Sequence, residues 1–141
     1  MILTKYADYS VRVLMYLGTR PGQKIPITEI AAAYKISRNH LMKVSQNLAR
    51  HGLIIGYRGK GGGITLARPA HSIILGDVLE RIEPSLRPPG RNTGPSVHSG
   101  DDQFRKALEK GRMAFISMLA NYSLADLLQE PGLKKPDADA R

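Results

Sequence analysis

A chain of 141 residues, 42% of them hydrophobic, is long enough for one domain and an extension but too short for two full-sized domains. It has no cysteine and no tryptophan, which excludes disulfides, thiolate metal sites and thiol catalysis and leaves the core to Leu, Ile, Val and Met. A formal charge of +9 suggests a polyanionic partner without naming it.

Taken in chain order, Tyr6, Val13, Leu14 and Leu17 recur at helical spacing behind Thr4, a natural N-cap, and predict a helix from Thr4 to Leu17 that stops at Gly18. Ile25-Pro26-Ile27 reads as an extended approach to a compact helix, Glu29 to Tyr34, capped by Thr28. Lys35-Ile36 makes a tight turn into a third helix capped by Ser37, with an apolar stripe of Leu41, Val44, Leu48 and Leu53 and a stop at Gly52. Two short apolar segments, Leu53–Arg58 and Ile64–Ala67, flank the glycine run Gly59-Lys60-Gly61-Gly62-Gly63 and predict a β-hairpin. Ser72 starts a further helix ending at Pro84.

Ser85 to Gly100 holds three prolines and three glycines and reads as a loop. A long helix follows from Gln103 to Asn121, with Phe104, Leu108, Gly111, Phe115 and Leu119 on its apolar stripe. Ser123 with Asp126 resembles a capping box for a short last helix ending near Gln129, and the tail from Pro131 is expected to fray. The expected organisation is therefore a DNA-binding unit over 1–84, a loop over 85–102, helices over 103–130 and a tail over 131–141. The fold class is mostly α with a small β-hairpin.

Helix, short helix, tight turn, capped helix and glycine-tipped hairpin is the order of a winged helix-turn-helix. Between Glu29 and Asp77 there is no acidic residue, while Lys35, Arg38, Lys43, Arg50, Arg58, Lys60 and Arg68 all fall there. From Ser85 onward nine basic residues stand against seven acidic, so the positive field belongs to one segment, the footprint of nucleic acid. A solvated basic face is the plainer alternative. After Ser37 the exposed positions are Arg38, Asn39, His40 and Lys43; arginine can bond guanine and asparagine adenine in the major groove. Gly59, Gly61, Gly62 and Gly63 let the hairpin tip approach a sugar-phosphate backbone, with Arg58 and Lys60 reaching phosphates or a minor groove. A nucleotide-binding loop fails on order, since no Ser or Thr follows Lys60 and no helix starts there.

The stretches Leu3–Tyr9, Ile36–Val44 and Arg58–Pro69, with Ile74–Val78 and Tyr122–Leu127, resemble the IscR/NsrR group of bacterial repressors (the Rrf-two superfamily), most of all the nitric-oxide-sensing NsrR type. The resemblance implies a homodimer joined through the long helix, a palindromic operator in double-stranded DNA, and DNA contacts from Ser37, Arg38, Asn39, His40, Lys43 and Arg58. It places Tyr9 and Arg12 near the DNA backbone, with a structural role for Tyr9 equally open. Cluster-binding members carry three cysteines in the loop before the long helix; Arg91, Ser96 and Asp102 stand at those positions here. Asp8 matches the carboxylate that completes the cluster in NsrR-type members.

Iron–sulfur clusters are held by thiolates, so a regulator without the family's cluster is expected, and no other cofactor. Its switch would then be a protein partner or a small ligand; His98 with Asp101 and Asp102 is the remaining metal alternative. An enzyme is not expected, because His40, His51, His71 and His98 are scattered without a nucleophile–base–orienter set. No apolar run approaches the ~20 residues of a membrane span, and Met1–Lys5 lacks the makings of a secretory signal. The expectation is a soluble cytoplasmic protein with no membrane partner.

Overall fold

Thr4 opens the first helix as its spacing predicts: its hydroxyl accepts from the Ala7 amide at 3.2 Å, and α1 runs Lys5–Gly18. The computed structural model describes residues 3–90 and 94–129, so Arg91 and the tail expected from Pro131 lie outside the described residues. The following helix, α2 (Ile27–Tyr34), begins two residues earlier than expected, with Pro26 rather than Thr28 at its N-cap position and no side-chain cap. Pro26 holds a φ of −62°, and its carbonyl accepts from the Glu29 amide, so the first turn is already closed ahead of the position expected for a Thr28 cap. Arg20 joins α1 to α2 through a 2.8 Å ion pair with Glu29 and a hydrogen bond to the buried Tyr16 hydroxyl.

Lys35 makes the turn into α3 (Arg38–Arg50) in the left-handed region, at φ 54°. One face of α3 buries Leu41, Val44 and Leu48 against α1 and α2. Strands β1 (Ile54–Tyr57) and β2 (Gly63–Leu66) pair antiparallel, with Ile54 opposite Leu66 and Tyr57 opposite Gly63. Ile25 extends this ribbon by exchanging two 2.9 Å backbone bonds with Ile64. That close approach explains a glycine: a Cβ on Gly63 would sit 2.7 Å from the Ile25 backbone.

Ser72 does not start a helix. It closes a 3-10 turn over Ala70–Ser72, and α4 runs Leu75–Ile82. The first amide of α4, on Leu75, donates instead to Tyr122 O from far along the chain. A long helix, α5 (Ser99–Leu119), starts four residues before Gln103 because His98 Nδ1 accepts from the Gly100 amide while Asp101 accepts from the Val97 and His98 amides. The expected Ser123–Asp126 box is present, each side chain accepting from the other's amide, and opens α6 (Leu124–Gln129). Leu124 then packs into the common core with α1 and α4.

The architecture is thus a helical unit with one hairpin wing, from which α5 departs. Among the described residues no helix is long and apolar enough to cross a membrane.

Candidate nucleic-acid interface

The candidate recognition surface is defined by what α3 buries. With Leu41, Val44, Ser45, Asn47 and Leu48 turned inward, Arg38, Asn39, His40, Met42, Lys43 and Gln46 are left exposed. Ser37 caps the helix, its Oγ accepting from the His40 amide at 3.4 Å, which leaves the Arg38 and Asn39 amides as the ones a helix start offers to an anion. All five expected α3 contacts, Ser37, Arg38, Asn39, His40 and Lys43, therefore lie together on the exposed N-terminal half of one helix.

The two α1 positions divide. Tyr9 is half-buried and stacks on His40, with ring centroids 6.4 Å apart and planes 28° from parallel, which fixes the imidazole's direction. Arg12 is drawn into a 2.9 Å ion pair with Asp8 one turn earlier, and its guanidinium lies 5.6 Å from the Tyr34 ring centroid. Asp8, the residue matched to a cluster carboxylate, is thus engaged by its own helix neighbour.

At the wing, Gly62 N donates to Gly59 O at 3.0 Å, closing the tip. A side chain at Gly62 would run into Tyr57 O, so this corner accepts only glycine. Arg58 and Lys60 project into solvent at either side of Gly59. Between α3 and the wing runs a groove of about 700 Å³ whose walls include Arg38, Gln46 and Arg58. Sequence reasoning missed Lys24, whose ammonium sits 4.2 Å from the Tyr57 ring centroid and adds a cation at the wing's base. Only the pairing of Ile25 with the wing brings it there.

The loop preceding α5 closes on itself. Ser96 Oγ donates to Asp102 Oδ1, Arg105 donates to Ser96 Oγ at 3.0 Å and to Gly94 O, and the Arg105–Asp102 pair is 3.7 Å long. Two of the three positions matched to cluster ligands are therefore a hydroxyl and a carboxylate bonded to one another; the third, Arg91, lies outside the described residues. Hard oxygens already committed to a guanidinium do not fit a cluster that needs thiolates. His98 and Asp101 are likewise spent on capping α5, and the Val97 and His98 amides hold the Asp101 carboxyl below its ordinary range. Among the described residues no three His, Asp or Glu side chains gather to hold a metal.

On α5, Phe104 is 65% exposed and Leu108 58%, and Gly111 also faces solvent, whereas Phe115 and Leu119 are half-buried against the core. The interface stripe expected from sequence is split between an outward half and a half that seats the helix on its own protomer.

Residues 3–130 match the model of the Rrf2 family, described as an iron-dependent transcriptional regulator. Similar solved structures include CymR, the global cysteine regulator of B. subtilis, at 21% identity and a TM-score of 0.70, over 91% of this chain and 96% of that one. IscR of T. potens is 25% identical with a TM-score of 0.72, over 92% and 87% of the two chains. CymR of Staphylococcus aureus is 25% identical with a TM-score of 0.70, over 92% and 100%.

Proposed function

This chain belongs to the Rrf2 family of DNA-binding transcriptional regulators, not of enzymes, and from that premise we propose that it is a cytoplasmic, homodimeric repressor that works without the family's iron–sulfur cluster. Each protomer inserts the N-terminal half of α3 into the major groove of one half of a palindromic operator, while the wing reaches the backbone or minor groove beside it. The observation that carries this reading is the exposed set Arg38, Asn39, His40 and Lys43, next to a side-chain-free wing tip flanked by Arg58 and Lys60. Two-fold pairing through α5 is supported by the exposed Phe104 and Leu108, too much apolar surface for a lone helix to leave in water. Repression follows from occupancy, because two helices and two wings on an operator exclude polymerase.

The cluster-free reading is supported by a sequence with no cysteine and by the Ser96–Asp102–Arg105 knot at the matched loop. A protein partner or a small ligand takes the cluster's place as the signal. The small ligand is favoured by a cavity of about 950 Å³ between Ser85–Gly90 and α5, floored by Leu86, Ala107, Leu108 and Phe115.

In vitro selection from a randomised duplex library, using protein purified without air and assayed for iron and sulfide, tests the reading. It should return a palindrome, and Asn39→Ala or Arg58→Ala should weaken binding to it by about 1–3 kcal/mol each. Operator affinity unchanged in both variants removes the proposed contacts, and a stoichiometric visible chromophore with iron and sulfide removes the cluster-free assignment.

A further inference from the structure

A duplex that takes α3 in its major groove and the wing in the minor groove beside it must pass one sugar–phosphate strand between them, because a single strand separates adjacent grooves. The groove of about 700 Å³ between α3 and the wing is the channel such a strand would follow. A third element shares its lining: Pro26, Ile27 and Thr28, the start of α2.

Two independent features of that lining lack an acceptor. Pro26 occupies the N-cap position of α2 without a side-chain cap, and among the described residues no protein group accepts from the Ile27 or Thr28 amides. A proline offers neither hydroxyl nor carboxylate to close those donors, so α2 presents its positive end to the groove. The other feature belongs to α3. Ser45 is 6% exposed and lines the same groove, yet its buried Oγ has no hydrogen-bond partner. Among the described residues it is the one buried side-chain polar atom left so. Buried hydroxyls are almost always bonded, which marks this one as a donor kept for a group the protein does not itself supply. The charge around it has one sign: Arg38 and Arg58 line the groove and no carboxylate does.

We infer that one backbone phosphate of the operator is held between the recognition helix and the wing, by the Ile27 and Thr28 amides at the start of α2 together with the Ser45 hydroxyl. The inference rests on the DNA-reading assignment above and adds a contact outside the first turn of α3 and the wing tip. A phosphodiester fits because its anionic oxygens can accept from amides and a hydroxyl at once, and because the strand between the two grooves brings one there. Such a contact carries no base preference of its own. Its use is positional: it fixes how α3 sits along the strand, so that Arg38 and Asn39 meet the bases in register.

The test uses the full-length protein and the operator that the selection returns. Each operator phosphate in turn is replaced by an uncharged methylphosphonate, and binding is measured for wild type, Ser45→Ala, Thr28→Asp and a charge-matched control, Gln23→Glu, outside the groove. In the wild type, neutralising one phosphate per half-site should weaken binding about tenfold, as expected when hydrogen bonds to a charged group are lost. Ser45→Ala should weaken binding to the unmodified operator by about tenfold and lose its sensitivity at that phosphate alone. Thr28→Asp, which suits a helix start but repels an anion, should bind the operator neutralised there better than the unmodified one, and Gln23→Glu should not. Neither groove variant should melt below the parent, since one removes an unpartnered hydroxyl and the other adds a carboxylate at a helix start. A purely structural role for these residues would not separate binding from melting in this way. Ser45→Ala with unchanged affinity and an unchanged scan overturns the inference, as does a Ser45→Ala protein that melts well below the parent. So does a thermal shift with inorganic phosphate that Ser45→Ala loses while its scan matches the parent's, which marks a free-anion site. A wild type that selects no sequence at all fails the DNA-reading assignment and this inference with it, whereas the preceding results overturn this inference alone.

Discussion

The reading unit and α5 solve the problem of burial in opposite ways. Helix α3 buries five of its 13 residues and α1 six of its 14, whereas the 21 residues of α5 include none that is buried. The unit closes its core by itself, from Ala7 through Leu48 and Ile64 to Leu124. Helix α5 rests on it through Phe115, Ile116 and Leu119, and through Arg112, which pairs with Glu80 and Glu109 and also donates to Leu86 O. Its other face, with Phe104 and Leu108, stays exposed, and the proposed dimer would cover it. If the proposed dimer forms through α5, stability and assembly are carried by separate parts of the chain, and substitutions should separate them.

The largest separation comes from paired leucines. Leu48 is 0% exposed, and Leu48→Ala should cost the protomer about 2–5 kcal/mol in denaturant unfolding. Leu108→Ala, on the exposed face of α5, should leave the diluted protomer within about 0.5 kcal/mol of the parent while moving the dimer's sedimentation transition to higher concentration. A dimer equally tight in Leu108→Ala means that α5 does not form the interface.

The seam between the two regions can be tested next. A Cβ on Gly76 would lie 2.8 Å from Ile116 O and 3.1 Å from Ala120 N, backbone atoms that cannot swing aside. Gly76→Ala should therefore push α5 away from α4 and cost about 1–3 kcal/mol. If the variant melts with the parent, α5 slides freely over α4 and the contrast drawn between the regions overstates how tightly they are joined.

How much of this was legible in the sequence follows the range of each interaction. Thr4, Ser37 and the Ser123–Asp126 box were readable because a cap and its amide lie within three residues. Thr28 misled because the helix is already under way at Ile27, its first turn closed by Glu29 N on the Pro26 carbonyl, and Ser72 misled because the Leu75 amide it would have capped is answered by Tyr122 O through the fold. His98 gave little warning, since histidine seldom caps and the surrounding glycines and prolines masked the start of α5. The exposed face of α3 followed directly from its buried stripe. The capture of Arg12 by Asp8 was present in an i,i+4 spacing, whereas Lys24 on Tyr57 depends on tertiary packing that no local pattern records.

The smallest effect concerns how each region is fastened. The α5 arm is tied by one ion pair, Arg112–Glu80, whose carboxylate is partly exposed, while the reading unit is closed by a carboxylate at 3% exposure: Glu83 accepts from the Thr4 amide and hydroxyl at 2.9 Å and from the Ser85 hydroxyl at 2.9 Å. Burial pushes the Glu83 pKa up, but these donors outweigh it and hold the carboxyl below its ordinary value of 4.5. A carboxyl with a lowered folded pKa contributes stability that is fully present above the unfolded pKa and is lost as pH falls through the folded one. Glu83→Gln should cost about 1–2 kcal/mol at neutral pH, because its amide hydrogens face donors. The parent should lose that advantage on acidification below about pH 4.5, where urea midpoints of the two proteins converge. Salt should weaken the attachment of α5 and leave the difference between parent and Glu83→Gln nearly unchanged, since screening reaches exposed pairs and spares a buried one. A difference that vanishes with salt instead of with acid means that Glu83 is solvated, and the unit is then closed by its apolar core alone.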